Sequence, residues 1–378
     1  MKKILLYILL LSGAAVFMIP FVWTVSTALK TRQQVYATPP QWVPRTYRIQ
    51  EAGRSIPVNV ITRIDAPAAV VQLAGGPRAG QVIPVARDAI ALRDNVALVK
   101  LRAPDPVPAQ ILRDMPAGLV QVRYEEGGQM LDRHVEPAEL IAVTDPQWDN
   151  FRKAWVPVEK GGTLPQAFHV YVLNTYTITI ICIIGQTLSC SLVAYGFARF
   201  RFRGRTTLFL LLLSTMMLPA QVTMIPVFLI WKNAGLVDTF APLTIPAFLA
   251  HSAFFVFLLR QFFLTLPREL DEAAMIDGCG PLRIWWQILL PLSKPALTTV
   301  AVLSFIGHWD DFVGPLIYLN SPENYTVSLA LRLFQDQNAS EFNLLMAAAL
   351  IHIGPVVLLF FLAQRYFVKG IATTGLKA

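Results

Sequence analysis

The chain has 378 residues, 54% of them hydrophobic and only 15% charged, with a net charge of +8. Soluble domains carry about a quarter charged residues, so the composition argues against an ordinary cytosolic enzyme and against a disordered chain. Three cysteines are too few for a disulfide scaffold, and at a mean hydropathy of +0.50 the placement of the basic residues matters more than their sum.

A bilayer core of about 30 Å needs roughly 20 apolar residues of helix. Six stretches qualify: residues 4–29, 171–198, 207–231, 241–263, 296–319 and 344–368. The first follows Lys2 and Lys3 and contains Ser12-Gly13-Ala14-Ala15, a composition also found before signal-peptide cleavage sites. Its apolar run exceeds the 7–15 residues of such a signal, so it reads as an uncleaved span.

Between the first two spans the sequence changes character. From about 45 to 147 it alternates in period two, as in Ile56-Pro-Val-Asn-Val-Ile, Ala69-Val-Val-Gln-Leu, Val96-Ala-Leu-Val-Lys-Leu and Leu119-Val-Gln-Val-Arg-Tyr. Gly and Pro punctuate these runs, which predicts short strands and tight turns in a small β-sandwich or barrel. This insert has no Cys, so its core must suffice; Cys182, Cys190 and Cys279 lie elsewhere without metal or redox spacing.

Arg199, Arg201, Arg203 and Arg205 crowd the connection between the second and third spans. With the N-terminus inside, this side of the membrane also holds Lys2, Lys3, Arg260, Arg268, Arg283, Lys294, Lys369 and Lys377. The short outer connections hold only Lys232 and Arg332 as bases. The positive-inside rule then puts both termini in the cytoplasm and the β insert outside it. The arginine cluster is a topology anchor in this reading, not a nucleic-acid patch.

The loop between spans four and five, residues 266–292, has its own pattern. Pro267 opens a helix, and Glu269, Asp271 and Glu272 fill its first turn, where the helix dipole favours them. Glu272-Ala273-Ala274-Met275-Ile276 continues it, and Gly278 with Gly280-Pro281 ends it in a sharp turn. A second helix with Ile284, Trp285 and Ile288 leads to Pro291 and Pro295. The loop reads either as a docking knuckle for another protein or as an amphipathic loop lying on the bilayer.

Glu272-Ala273-Ala274, Gly278 and Ile288-x-Leu290-Pro291 match, without a gap, the EAA signature of permease subunits of ATP-binding-cassette importers, which the chain therefore resembles. Flanking residues bring the resemblance close to the carbohydrate, maltose-type permeases. They include Asp149-Asn150-Phe151-Arg152, Asn174-Thr175, Leu218-Pro219-x-Gln221, Gly235-Leu236-x-Asp238-Thr239 and Arg365-Tyr366-Phe367-Val368-x-Gly370. The likeness covers about 1–40 and 148–378. The insert lies outside it, and Asp310 stands where the family commonly has Asn after Trp309.

The resemblance implies an all-α membrane protein with six transmembrane helices of the type I importer kind, into which the extracytoplasmic β domain read from the alternation is inserted. Residues 1–30 would form the first helix, 168–370 the permease core, and 370–378 a cytoplasmic tail. The partners implied are a second permease subunit, two ATP-binding subunits that hold the ATP and magnesium, an extracytoplasmic sugar-binding protein and membrane lipid. No cofactor belongs to this chain. Glu272 would contact the ATP-binding subunit, Ala273 and Ala274 would pack against it, Gly278 would make the turn, and Arg283 and Trp285 would sit nearby. Gly370, Gly375 and Lys377 belong to a tail resembling one that reaches between the ATP-binding subunits. In keeping with that division, the nearest approach to a phosphate-binding loop, Gly75-x4-Gly80, is followed by Gln81-Val82 in place of Lys-Ser/Thr.

Two constellations remain. His308-Trp309-Asp310-Asp311 places ionisable groups near or within the fifth span, a candidate translocation path or a hydrogen-bonded structural cluster. His251 and His352 are lone span histidines, read as hydrogen-bonded between helices. A secondary transporter would need an inverted repeat and paired intramembrane charges, which are not evident. A membrane-anchored scaffold with the insert as its binding module leaves the EAA pattern unexplained.

Overall fold

The computed structural model describes residues 2–37, 40–51, 54–64, 67–75, 80–87, 90–93, 96–99, 107–115, 119–126, 129–157, 164–336 and 341–374. The chain forms two units, Ala37–Gln147 and the combination of Met1–Tyr36 with Trp148–Ala378.

The first of these is built on antiparallel strands, with a short 3-10 turn at Pro137–Glu139. Strands β1 (Arg45–Glu51), β2 (Arg54–Ile64), β8 (Leu119–Glu126), β9 (Gln129–Val135) and β10 (Ile141–Thr144) form one sheet in the order β10-β1-β2-β8-β9. Strands β3 (Ala68–Leu73), β4 (Val82–Ala86), β5 (Ile90–Arg93), β6 (Val96–Val99) and β7 (Val107–Met115) form a second, in the order β4-β3-β7-β6-β5. Alternation buries one face of each. Ile49, Val58, Val120, Val122 and Tyr124 make the core of the first, and Ala69, Val71, Leu73, Val99 and Ala109 that of the second. On the solvent side, Arg123 and Asp132 are register partners and form a two-bonded pair at 2.6 and 2.9 Å.

The other unit is helical. It begins with α1 (Lys2–Ala28) and the short α2 (Arg32–Val35), and resumes after the insert with α3 (Asp149–Trp155) and α4 (Phe168–Arg199). Four described helices or helix runs are long and apolar enough to cross a membrane, and six spans result if each of two bent pairs counts as one. The third apolar stretch is one such pair and not a straight helix. α5 (Arg205–Ser214) and α6 (Ala220–Asn233) meet at a 98° bend, because Pro219 holds extended backbone (φ −62, ψ 132) ahead of α6.

The fourth stretch is also irregular: α7 (Ala241–Thr244), a 3-10 segment Ile245–Leu249, then α8 (Ala253–Thr265), with Ala250 left-handed at φ 51. Backbone freed by such a break must find partners inside the protein. α4 supplies them. Ser189 Oγ donates to Ala247 O (2.8 Å) and accepts from Ala250 N (3.2 Å), and Cys182 Sγ meets Leu243 O at 3.2 Å. Gly185 makes this approach possible, since a Cβ there would lie 3.0 Å from the Phe248 ring and 3.1 Å from the Ala247 backbone.

The fifth stretch is interrupted as well. α12 (Lys294–Trp309) ends at Asp310, and α13 (Val313–Tyr318) restarts after an unwound segment. α14 (Val327–Asp336) and α15 (Phe342–Thr374) complete the unit. The helix of α15 continues through Gly370 to Thr374, so the first half of the expected tail is helical; Gly375 and Lys377 lie outside the described residues.

Candidate functional site

The loop after α8 is built as two short helices joined by a tight turn. α9 (Glu269–Ile276) carries Glu269, Asp271 and Glu272 in its first turn. Its end is fixed by Gly278 at φ 81, with Cys279 N–H on Ala274 O (2.9 Å) and Gly278 N–H on Met275 O (3.1 Å). Those two bonds define a Schellman cap, which wants glycine at the left-handed position. Gly280 and Pro281 then start α10 (Pro281–Ile284), which passes through a π-turn at Trp285–Leu289 into α11 (Leu290–Leu292). The wider turn, with Leu290 N–H on Trp285 O, accommodates Pro291, which has no N–H to give. An 82° bend at Ser293 leads into α12.

This loop has two faces. Ala274, Ile284 and Leu289 are buried against Cys190, Ala194, Tyr195 and Ala198 of α4 and Phe263 of α8. Ala274 is thus committed to the chain's own core, contrary to its expected place on a partner-facing ridge, because its side of α9 lies over α4. Trp285 also packs inward, whereas Trp286 is 56% exposed. Asp271 faces the same way and bridges Arg199 at the end of α4, Nε to Oδ2 at 3.0 Å, with side chains only 6% and 10% exposed. Arg199 also donates from Nη2 to Leu266 O at 3.1 Å. Burial pushes the Asp271 carboxyl up despite the opposing pull of the guanidinium.

The opposite face presents Glu272, Ala273, Met275, Ile276 and Leu282, with Ile276 87% exposed. Arg283 is exposed too and pairs with Gln287 at 2.8 Å. Glu272, Ala273, Gly278 and Arg283 therefore share an accessible knob. Sequence reasoning missed Asp271 as its anchor; the available signal was its helical spacing of three from Ala274.

At the α12–α13 break Trp309 is buried, its indole N–H donating to His352 O of α15 at 3.0 Å. It stacks on Phe305 and His352 and meets Tyr176 edge-on at 4.8 Å. His352 Nε2 lies 3.1 Å from Asp310 Oδ1, while the Asp310 side chain stays 54% exposed. Asp311 caps α13 by accepting from Gly314 N–H at 3.1 Å. The three expected path residues thus differ: Trp309 and Asp311 hold the break together, and Asp310 points its carboxylate outward.

A further clasp joins the loop after α6 to the loop after α13. Asp238, left-handed at φ 65, accepts from Asn320 N–H (2.8 Å), Ser321 N–H (3.0 Å) and the Ser321 hydroxyl. Asn324 Nδ2 donates to Asp238 O at 2.8 Å. These donors hold the carboxyl down to about 2. Nearby, Asn174 Nδ2 donates to Glu323 O and Tyr325 O, and Thr175 Oγ1 accepts from Val327 N–H.

Residues 170–373 match the family model described as the binding-protein-dependent transport system inner membrane component. The arabinooligosaccharides transport system permease protein of Halalkalibacterium halodurans is 36% identical over 204 residues, which cover 54% of this chain and 72% of that protein. The sn-glycerol-3-phosphate transport system permease protein of Rhizobium meliloti is 38% identical, covering 54% and 72%. A chain from the crystal structure of a bacterial ABC transporter that imports the acidic polysaccharide alginate superposes with a TM-score of 0.51 at 25% identity, covering 59% of this chain and 80% of that one.

Proposed function

The chain belongs to the family of binding-protein-dependent transport system inner membrane components, and from that premise we propose that it carries saccharide cargo across the membrane and couples that movement to ATP through the loop at 266–292. It is a multi-pass permease subunit of an ABC importer. The names of its relatives, which include arabinooligosaccharide and glycerol-phosphate permeases, support a carbohydrate-type cargo.

One observation carries the coupling role. A loop flanked by membrane spans exposes Met275, Ile276 and Leu282 while its other face is anchored by a buried ion pair. Large exposed apolar side chains mark a protein or membrane contact, and the EAA signature carried by this loop favours a protein. Each of two ATP-binding subunits holds ATP and magnesium; one of them receives this knob, with Glu272 as its polar contact and Arg283 at its edge. The anchor transmits the push from that subunit to α4, around which α8 and α12 pack. The chain itself performs no chemistry. A second permease subunit completes the pore, and an extracytoplasmic binding protein delivers the sugar. Both termini lie in the cytoplasm, the C-terminal residues Gly370, Gly375 and Lys377 approach the ATP-binding subunits, and the β unit stands outside the membrane, where it meets the binding protein or the partner's outer loops.

The test is isolation of the tagged chain from native membranes in mild detergent. Co-isolation of an ATPase and a second multi-span protein, lost on Glu272→Lys or Gly278→Asp, supports the proposal. A chain that comes out alone and still transports would overturn it in favour of an ion-coupled carrier.

A further inference from the structure

The ionisable groups inside the spans are not scattered. His251 sits at the break before α8, its Nδ1–H donating to Pro246 O at 3.1 Å. His308, Asp310 and Asp311 sit at the break between α12 and α13, and His352 joins Asp310 from α15. His308 lies within electrostatic range of both Asp311 and His251. Two interrupted spans thus bring their polar residues together, an arrangement that transport proteins use near the membrane midplane.

Depth follows from helix length. At about 1.5 Å per residue, the 16 residues of α12 place Asp310 about 24 Å from Lys294. His352 lies about 15 Å into α15 from Phe342 by the same measure. Both positions fall within a hydrocarbon layer of about 30 Å. A carboxylate at that depth cannot face lipid without a large cost. Yet the Asp310 side chain is 54% exposed, held by His352 on one oxygen. Its open side must therefore face water or another protein chain. His352 is itself 11% exposed, and its Nδ1 is buried without a hydrogen-bond partner among the described residues, so no second hydrogen bond draws the imidazole away from Asp310.

We infer that Asp310, positioned by His352 and flanked by Asp311, His308 and His251, lines the aqueous path and filters cargo by charge, admitting neutral polyhydroxyl saccharides and rejecting phosphorylated or uronate-bearing ones. This rests on the permease reading and adds a cargo class to it.

The test uses charged thiol reagents as probes in the assembled complex, in native membrane vesicles at pH 8, where an ordinary imidazole is neutral. Cys182 and Cys190 are fully buried, so Cys279→Ser gives the background. Val313→Cys places a reporter three residues beyond Asp310, at a site 56% exposed. Ile306→Cys provides a second, since Ile306 is 39% exposed and its carbonyl receives the Asp310 N–H. Relative to a free thiol, a cationic methanethiosulfonate should react about tenfold faster than an anionic one, the scale of one unit charge acting over several ångströms in a partly aqueous site. Asp310→Asn should remove most of that preference. No reaction at either reporter, or a preference unmoved by Asp310→Asn, overturns the inference. Absence of an ATPase from the complex sinks the permease reading instead, so the two failures are told apart.

Discussion

Removing the Asp271 carboxylate tests how the 266–292 loop is held. In Asp271→Ala the Arg199 guanidinium stays buried with only Leu266 O as a hydrogen-bond partner among the described residues. Breaking one side of a buried pair costs about 3 kcal/mol or more. The penalty falls on α9, whose remaining inward anchor is Ala274. Its opening should therefore become roughly a hundredfold more frequent, at 1.4 kcal/mol per factor of ten. Hydrogen exchange of the peptide spanning 266–280 reads this directly in the purified complex. Burial raises the Asp271 carboxyl, so protonation favours the docked loop: that contribution is complete below the ordinary aspartate range and fades as pH rises through the elevated value. Asp271→Asn, which keeps shape without charge, should accordingly cost less than Asp271→Ala. The double replacement Arg199→Met with Asp271→Leu should recover most of the protection, since apolar pairs often replace buried ion pairs without loss. Unchanged exchange in Asp271→Ala would refute the anchor.

Three further outcomes follow from the geometry. Gly278→Val should weaken α9 by about 1–2 kcal/mol, because a branched side chain is strained at φ 81, while Gly278→Asn should be milder; uptake and exchange at α9 should rank in that order. Asp238→Asn should lower thermal stability by about 1 kcal/mol, after discounting for its partial exposure. With the carboxyl held near 2, that difference should be constant above pH 5 and shrink as pH falls from about 4 toward 2; melting scans across this range check it. Gly185→Ala should cost about 1–3 kcal/mol by forcing Phe248 and the Ala247 backbone away from α4, read as a lower melting temperature in detergent.

Much of this architecture is written in residue order. The period-two run at Leu119–Tyr124 puts Val120, Val122 and Tyr124 on one buried face, and Gly278 announces the end of α9 from the sequence alone. Apolar windows find the spans but not their breaks. A count of Leu and Val sees nothing of the 98° turn at Leu218–Pro219, and the unwinding at Asp310–Phe312 depends on Ser328 Oγ bonding Asp311 O and on Gly314 bonding the Asp311 carboxylate. Facing was equally hidden. Glu272-Ala273-Ala274 reads as one small-residue ridge, yet a helix turns about 100° per residue, so Ala273 points outward while Ala274 joins Asp271 beneath it. The tail resisted for a related reason: Gly370 looks like a helix end, but nothing after it forces a turn before Thr374.

The proposed seat of the exposed 266–292 knob is an ATP-binding subunit. It is tested by cross-linking from Ile276→Cys, a position 87% exposed on α9, with a short bifunctional reagent in native membranes, followed by mass identification of the product. A cross-link to an ATP-binding subunit is expected, with a yield that changes when ATP is added and falls when Asp271→Ala frees the loop. An adduct of the introduced thiol confined to lipid or to this chain, insensitive to ATP, would contradict it.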